Sequence, residues 1–226
     1  AHHHPDAGRR RQAKAVYEYL VPIVKGWSTE MSIDVASLGV QVHGGMGYIE
    51  ETGAAQFYRD ARILTIYEGT TAIQANDFVG RKTARDGGAV ARSLIGQIRQ
   101  TAAELSASTD ADLAAIGRRL AVAADAHEEV VDYVVSRIKD DIRGVFAGSV
   151  PYLELAGIVH GGWQLARAAA VSVRALRQGS DDRAFHTAKV VTARFFADHV
   201  LAAAAGLRDS VVDGSTGVLG LSAEQF

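Results

Sequence analysis

Between Asp110 and Asp141 apolar side chains recur at three- and four-residue spacing, with one gap of seven: Leu113, Ile116, Leu120, Ala123, Val130, Val134 and Ile138. A strand would turn them to opposite faces, whereas a helix gathers them into one stripe. Such a stripe, about eight turns long, can be buried only against other long helices. The chain is thereby committed to a bundle. Only three prolines interrupt its 226 residues, and the fold class expected throughout is all-α, one helical bundle followed by a second.

The remaining elements follow from the same spacing and from start and stop signals. Residues 7–26 read as a helix with Tyr17, Leu20 and Val24 on one side and a kink at Pro22. Ser28 or Thr29 is expected to cap a second helix that runs to Gly44 and Gly45. A glycine-rich loop over 43–53 precedes a short helix through Phe57 and Tyr58. An extended connection then leads from Ile63 to Gly69, and a helix from Thr70 to about Arg85. Arg85-Asp86-Gly87-Gly88 is the best boundary, dividing the chain into 1–86 and 87–226. Beyond it helices are expected over 89–107, 110–141, from Pro151 to about Leu176, and from an Asp181 or Asp182 cap through Phe195 to Leu207. The last dozen residues, rich in Gly and Ser, read as a loose tail.

Composition excludes several classes of function. With 48% apolar residues the chain can bury a core. Its 24 basic and 26 acidic residues are scattered, without the basic stripe a nucleic-acid partner requires. The absence of cysteine removes disulfide, thiolate and cysteine-metal chemistry and fits a reducing compartment, so a cytoplasmic location is expected. Charges break the most apolar runs before the length of a membrane span. His2-His3-His4 are adjacent on a terminus and cannot easily converge on one ion; no metal site is expected.

Two segments can carry chemistry. His43-Gly44-Gly45-Met46-Gly47-Tyr48 lets a backbone come close to a phosphate or another chain. It follows a helix instead of a strand and lacks the third glycine of a dinucleotide fingerprint. Arg59-Asp60-Ala61-Arg62, with Glu50-Glu51 upstream, reads as a salt-bridged helix end that holds this loop. Glu68 stands between Tyr67 and Gly69 after the apolar run Ile63-Leu64-Thr65-Ile66, just before the N-cap threonine Thr70. An ordinary capping-region glutamate fits these facts, and so does a partly desolvated general base. His127, His160 and His199 read as core or surface histidines, and Gly157, Gly161 and Gly162 as close helix packing anchored by Trp163.

Three motifs in order carry a resemblance: Val40-Gln41-Val42-His43-Gly44-Gly45-Met46-Gly47-Tyr48, then Tyr58-Arg59-Asp60-Ala61-Arg62-Ile63, then Ile66-Tyr67-Glu68-Gly69-Thr70. Together they resemble the end of an acyl-CoA dehydrogenase. From about Gly87 the chain is similar, less sharply, to the helical domain appended to a long-chain-length branch of that family, with Pro151-Tyr152-Leu153 and Gly161-Gly162-Trp163 as its recognisable pieces. The resemblance implies flavin-dependent α,β-dehydrogenation of an acyl-CoA thioester, a part in fatty acid β-oxidation, and Glu68 as the base that removes the α-proton. It implies that Gln41, Gly44 and Gly45 contact the diphosphate of an FAD held mainly by a neighbouring subunit, that Thr70 and Thr71 touch FAD of their own subunit, and that Tyr67 and Gly69 line the acyl-CoA site. Ala72 departs from those family members that carry a glutamine at that position. The expected partners are the family's first helical domain and β-domain, a second copy of the chain, and an electron-transfer acceptor. The chain is thus expected to be a C-terminal fragment, inactive alone. A non-catalytic helical module for oligomerisation or interaction is the alternative.

Overall fold

The computed structural model describes residues 3–225, so the expectation about the terminal histidines falls partly outside the described residues, at His2. All regular elements among the described residues are helical. The first, α1 (Ala7–Pro22), starts where Asp6 accepts a hydrogen bond from the Arg9 N–H at 3.0 Å. Pro22 is its last residue. Its missing N–H and the following residues are absorbed by a π-helical segment, Ile23–Trp27, which runs straight into α2 (Ser28–His43). No cap is therefore needed at Ser28 or Thr29, and the Thr29 hydroxyl instead donates to the carbonyls of Lys25 and Gly26, at 2.6 and 3.0 Å.

The glycine-rich stretch is more ordered than a loop: α3 (Gly45–Tyr48) and a 3-10 turn at Glu50–Thr52 lead to α4 (Ala54–Ile63). The connection after Ile63 is not extended. Its residues coil into successive turns in which the N–H groups of Ile66 and Tyr67 both donate to the Ile63 carbonyl, at 3.0 and 3.2 Å. Then come α5 (Thr71–Asp77) and a second π-helical segment, Phe78–Ala84. At the Asp86–Gly88 turn both glycines take positive φ, 67° and 78°, and the Asp86 carboxylate accepts from the N–H groups of Gly88 and Val90.

Four long helices follow: α6 (Ala89–Ser106), α7 (Ala111–Arg137), α9 (Ser149–Arg177), preceded by the short α8 (Ile142–Ala147), and α10 (Arg183–His199). Asp110 caps α7, and Asp182, one of the two expected residues, caps α10. After α10 come α11 (Ala204–Val212) and then, within the stretch expected to be a loose tail, one helical turn, α12 (Ser215–Val218), and a 3-10 turn at Ala223–Gln225, with every described residue from Thr216 onward exposed. The stripe on α7 is buried from Leu113 to Val134, and Ile138, just past the end of that helix, packs against the same core. That core also takes in Tyr19 of α1, Ala75 of α5, and Ile23, Phe78 and Val79 of the two π-helical segments. Tyr19 of α1 meets Phe78 at 4.9 Å between ring centroids, and Phe78 meets Tyr152 of α9 at 4.7 Å. Each such ring contributes about 1.5–3 kcal/mol by burial. The Tyr152 hydroxyl is satisfied by Thr83 at 2.9 Å.

The glycines of α9 serve close packing, with the π-helical segment of the first half as a partner. A Cβ on Gly157 would lie 2.2 Å from Trp27, and one on Gly162 would lie 2.8 Å from Leu201. Trp163 anchors beside them, its indole N–H donating to Thr101 at 2.9 Å. One apolar run is longer than expected. The stretch Arg183–Val212, a 3-10 turn included, reaches the length and apolarity of a membrane span, with mean hydropathy 1.4 over its most apolar window. Two of its six charges, Arg194 and Asp198, pair with each other at 2.6 Å, four residues apart, on a surface otherwise rich in alanine and valine. Val190, Ala193, Ala197 and Leu201 of that surface join the core.

Candidate active site

The segment Tyr67-Glu68-Gly69-Thr70 leads from the turns after α4 into α5. It does so with two consecutive residues of positive φ, Glu68 at 52° and Gly69 at 95°. Glu68 is the one non-glycine residue with positive φ among the described residues. That region is uncommon for a residue with a Cβ and persists where the surroundings over-determine it. At Gly69 a Cβ would meet the Gln74 amide nitrogen at 2.9 Å. Thr70 occupies the expected N-cap position of α5 in extended conformation, but its side chain makes no capping bond. The Thr71 hydroxyl donates to the Glu30 carboxylate of α2.

Glu68 is exposed, and Tyr67 is 47% exposed. The expected partial desolvation of the carboxylate is therefore absent from this chain by itself. The turns after Ile63 leave Tyr67, Glu68 and Thr70 exposed and Gly69 half-buried. Lys25, in the π-helical segment, holds the turn from beneath: its ammonium donates to the Leu64 carbonyl at 2.7 Å and lies 5.2 Å from the Tyr67 ring centroid.

Gln41, Gly44 and Gly45 sit at the other end of α2, all exposed. Eleven residues separate Glu30 from Gln41, about 16 Å along the helix axis. The sequence-derived site residues thus form two groups at opposite ends of α2. Gly44, at φ 60° and ψ −143°, takes a conformation available essentially to glycine alone. A Cβ on Gly44 or Gly45 would meet nothing within 4 Å, so the backbone there lies open to a ligand. The loop is held as expected from the second motif: Arg59 reaches Glu50 at 3.6 Å and bonds Gln56, while the Thr52 hydroxyl donates to the carbonyls of Met46 and Ile49.

Between α2, α5 and α9 lies a cavity of about 270 Å³ whose lining includes Glu30, Asp34, Thr71 and Glu154. Burial and the neighbouring Asp34 raise the Glu154 carboxyl above its usual range. Lys25, Glu30 and Gln74 are the residues that sequence reasoning missed. They belong to no motif and meet the Glu68 segment only through folding. The buried histidines lie elsewhere, in the core. Burial holds His160 at about 4 and, with the charge of His160, pushes His127 well below the ordinary imidazole range.

The family description "Acyl-CoA dehydrogenase, C-terminal domain" matches residues 1–82, and "Acetyl-CoA dehydrogenase C-terminal like" matches residues 94–222. The chain belongs to the acyl-CoA dehydrogenase family. Among its acyl-CoA dehydrogenase relatives, the 3-methylmercaptopropionyl-CoA dehydrogenase of Ruegeria pomeroyi is 47% identical over 219 residues, which cover 97% of this chain and 37% of that protein. The broad-specificity linear acyl-CoA dehydrogenase of Mycobacterium tuberculosis is 34% identical over 195 residues, covering 84% of this chain and 32% of that one. A shorter match, 42% over 52 residues, covers 23% of this chain and 14% of the caffeyl-CoA reductase-Etf complex subunit CarC of Acetobacterium woodii. The chain spans about a third of the length of the first two relatives.

Proposed function

We propose that this chain is the C-terminal part of a flavin-dependent acyl-CoA dehydrogenase and supplies its catalytic base, Glu68. The observation that carries the reading is the strained turn at Glu68 and Gly69, in a family member, on the motif by which the resemblance names the base. The reaction removes two hydrogens from adjacent carbons. The Glu68 carboxylate takes the α-proton, the Cα–H electron pair becomes the Cα–Cβ double bond, and the β-hydrogen leaves with its own pair. FAD, when bound, supplies the acceptor for that hydride. A thioester α-proton is too weakly acidic for a carboxylate unless fixed donors hold the developing enolate oxygen. The Glu68 backbone N–H serves as one such donor, and Gly69 lets the backbone turn there without a clash. Tyr67 and Gly69 line the acyl-CoA site.

The residues present fit the cofactor at two places. The open backbone of Gly44 and Gly45, with Gln41, suits a diphosphate. At the other end of α2, Thr70 and Thr71 offer hydroxyl oxygens, that of Thr71 as an acceptor because its proton is committed to Glu30. As the resemblance implies, the two groups serve two different FAD molecules in a homo-oligomer. The turn at Asp86–Gly88 then separates the catalytic-domain portion from an appended helical domain. The relative named for an Etf complex supports an electron-transferring partner.

The test is the flavin spectrum of the complete gene product on addition of a panel of acyl-CoAs. Bleaching is expected, with the rate lost by a factor of about 100 to 10,000 in Glu68→Gln. A product that binds no flavin would favour the non-catalytic helical module.

A further inference from the structure

We propose that Lys25 is a positioning residue for Glu68, an inference that rests on the reading of Glu68 as the base. The carboxylate has no tether of its own: among the described residues no ion pair involves it. Its direction is therefore set by the backbone of the turn, whose two positive φ values are held only by what surrounds them.

Two contacts from one stretch of backbone bracket that turn. On its near side Lys25 donates to the Leu64 carbonyl, one of the acceptors left without a helical partner where α4 ends, and places its cation against the face of Tyr67. On its far side Glu30, five residues after Lys25, accepts from Thr71. The π-helical segment explains why Lys25 can reach. A widened turn after Pro22 resets the direction of the side chains that follow, and Gly26 and Trp27 are pressed onto Leu153 and Gly157 of α9, fixing the backbone on which Lys25 stands. A half-buried ammonium that spans 39 residues of sequence to a single carbonyl thus ties the base's turn to the rigid core.

The experiment compares Lys25→Met, Lys25→Arg and Glu68→Gln in the complete gene product. It follows flavin content, kcat and KM for flavin reduction, and amide hydrogen exchange over residues 63–70. Lys25→Met keeps the aliphatic stem and removes the donor. We expect kcat to fall about tenfold to a hundredfold, as for a displaced catalytic group, with KM and flavin content little changed and exchange over 63–70 faster. Lys25→Arg should recover most of the rate. Unchanged exchange in Lys25→Met overturns the inference and leaves the base untouched. Faster exchange with an unchanged kcat, while Glu68→Gln is dead, makes Lys25 structural only and overturns it equally. A Glu68→Gln protein that still reduces its flavin sinks the assignment of the base instead, whatever Lys25 does.

Discussion

A glutamate at φ 52° next to a glycine at φ 95° places conformational cost on the residue assigned the chemistry. A side chain with a Cβ in the left-handed region loses roughly 1 kcal/mol, so replacements of Glu68 separate stability from function. Asparagine tolerates that region better. Glu68→Asn is expected to keep or slightly raise the urea midpoint while losing flavin reduction. Gly69→Ala is expected to do the opposite locally, since its Cβ would stand 2.9 Å from the Gln74 amide. It should cost about 1–3 kcal/mol and slow the reaction with Glu68 still present; both readouts come from the same two assays. The motif around Glu68 was legible because its parts are contiguous in sequence. Lys25 and Glu30 were not, being 39 and 41 residues from their partners in the turn, and no local pattern announces a tether of that kind.

Helices show through in sequence because burial acts on one face and repeats with the turn. The stripe on α7 could be read directly from that repeat, and the Asp182 cap of α10, as one of two neighbouring aspartates, from its place ahead of the helix, whereas the Asp110 cap emerged only in the structure. The π-helical segments could not, because a single widened turn leaves no periodic trace. The expected break between α1 and α2 consequently became one continuous run. The exposure of Glu68 was equally hidden, since turns and an extended strand read alike over so short an apolar stretch. The small residues on α9 gain their partner from this bulge. Gly157→Ala forces a methyl into Trp27 and should destabilise by about 1–3 kcal/mol in urea denaturation. Trp27→Leu opens the space, and in that background Gly157→Ala is expected to cost less, a coupling a double-mutant cycle would measure.

Over the whole molecule, the two stretches matched by separate family descriptions share one core, and its centre holds two neutral imidazoles. His127 and His160 meet edge to face at 5.5 Å, with Tyr19 on one side, its hydroxyl 3.4 Å from His127, and Trp163 on the other. An unfolded histidine protonates near pH 6.5, whereas folded His160 does so only at about 4. Its contribution is therefore fully present above the unfolded value and is lost as pH falls toward the folded one. Summed over that window it amounts to about 3 kcal/mol, and His127 acts in the same direction. Urea midpoints should fall on acidification from about pH 7 to 5, and His160→Leu should flatten that slope.

The shared core also limits how the family can exchange parts. A recombinant that joins α6 to α12 of this chain to the catalytic end of a relative inherits the Tyr152 hydroxyl but not necessarily Thr83, which satisfies it, nor Phe78 and Tyr19, which stack against it and its neighbours. A crossover at the glycine turn would cut the sequence at its most permissive point and the packing at its least permissive. Functional chimeras should therefore be those that carry Tyr19, Trp27, Phe78 and Thr83 along with the later helices, as one inherited block.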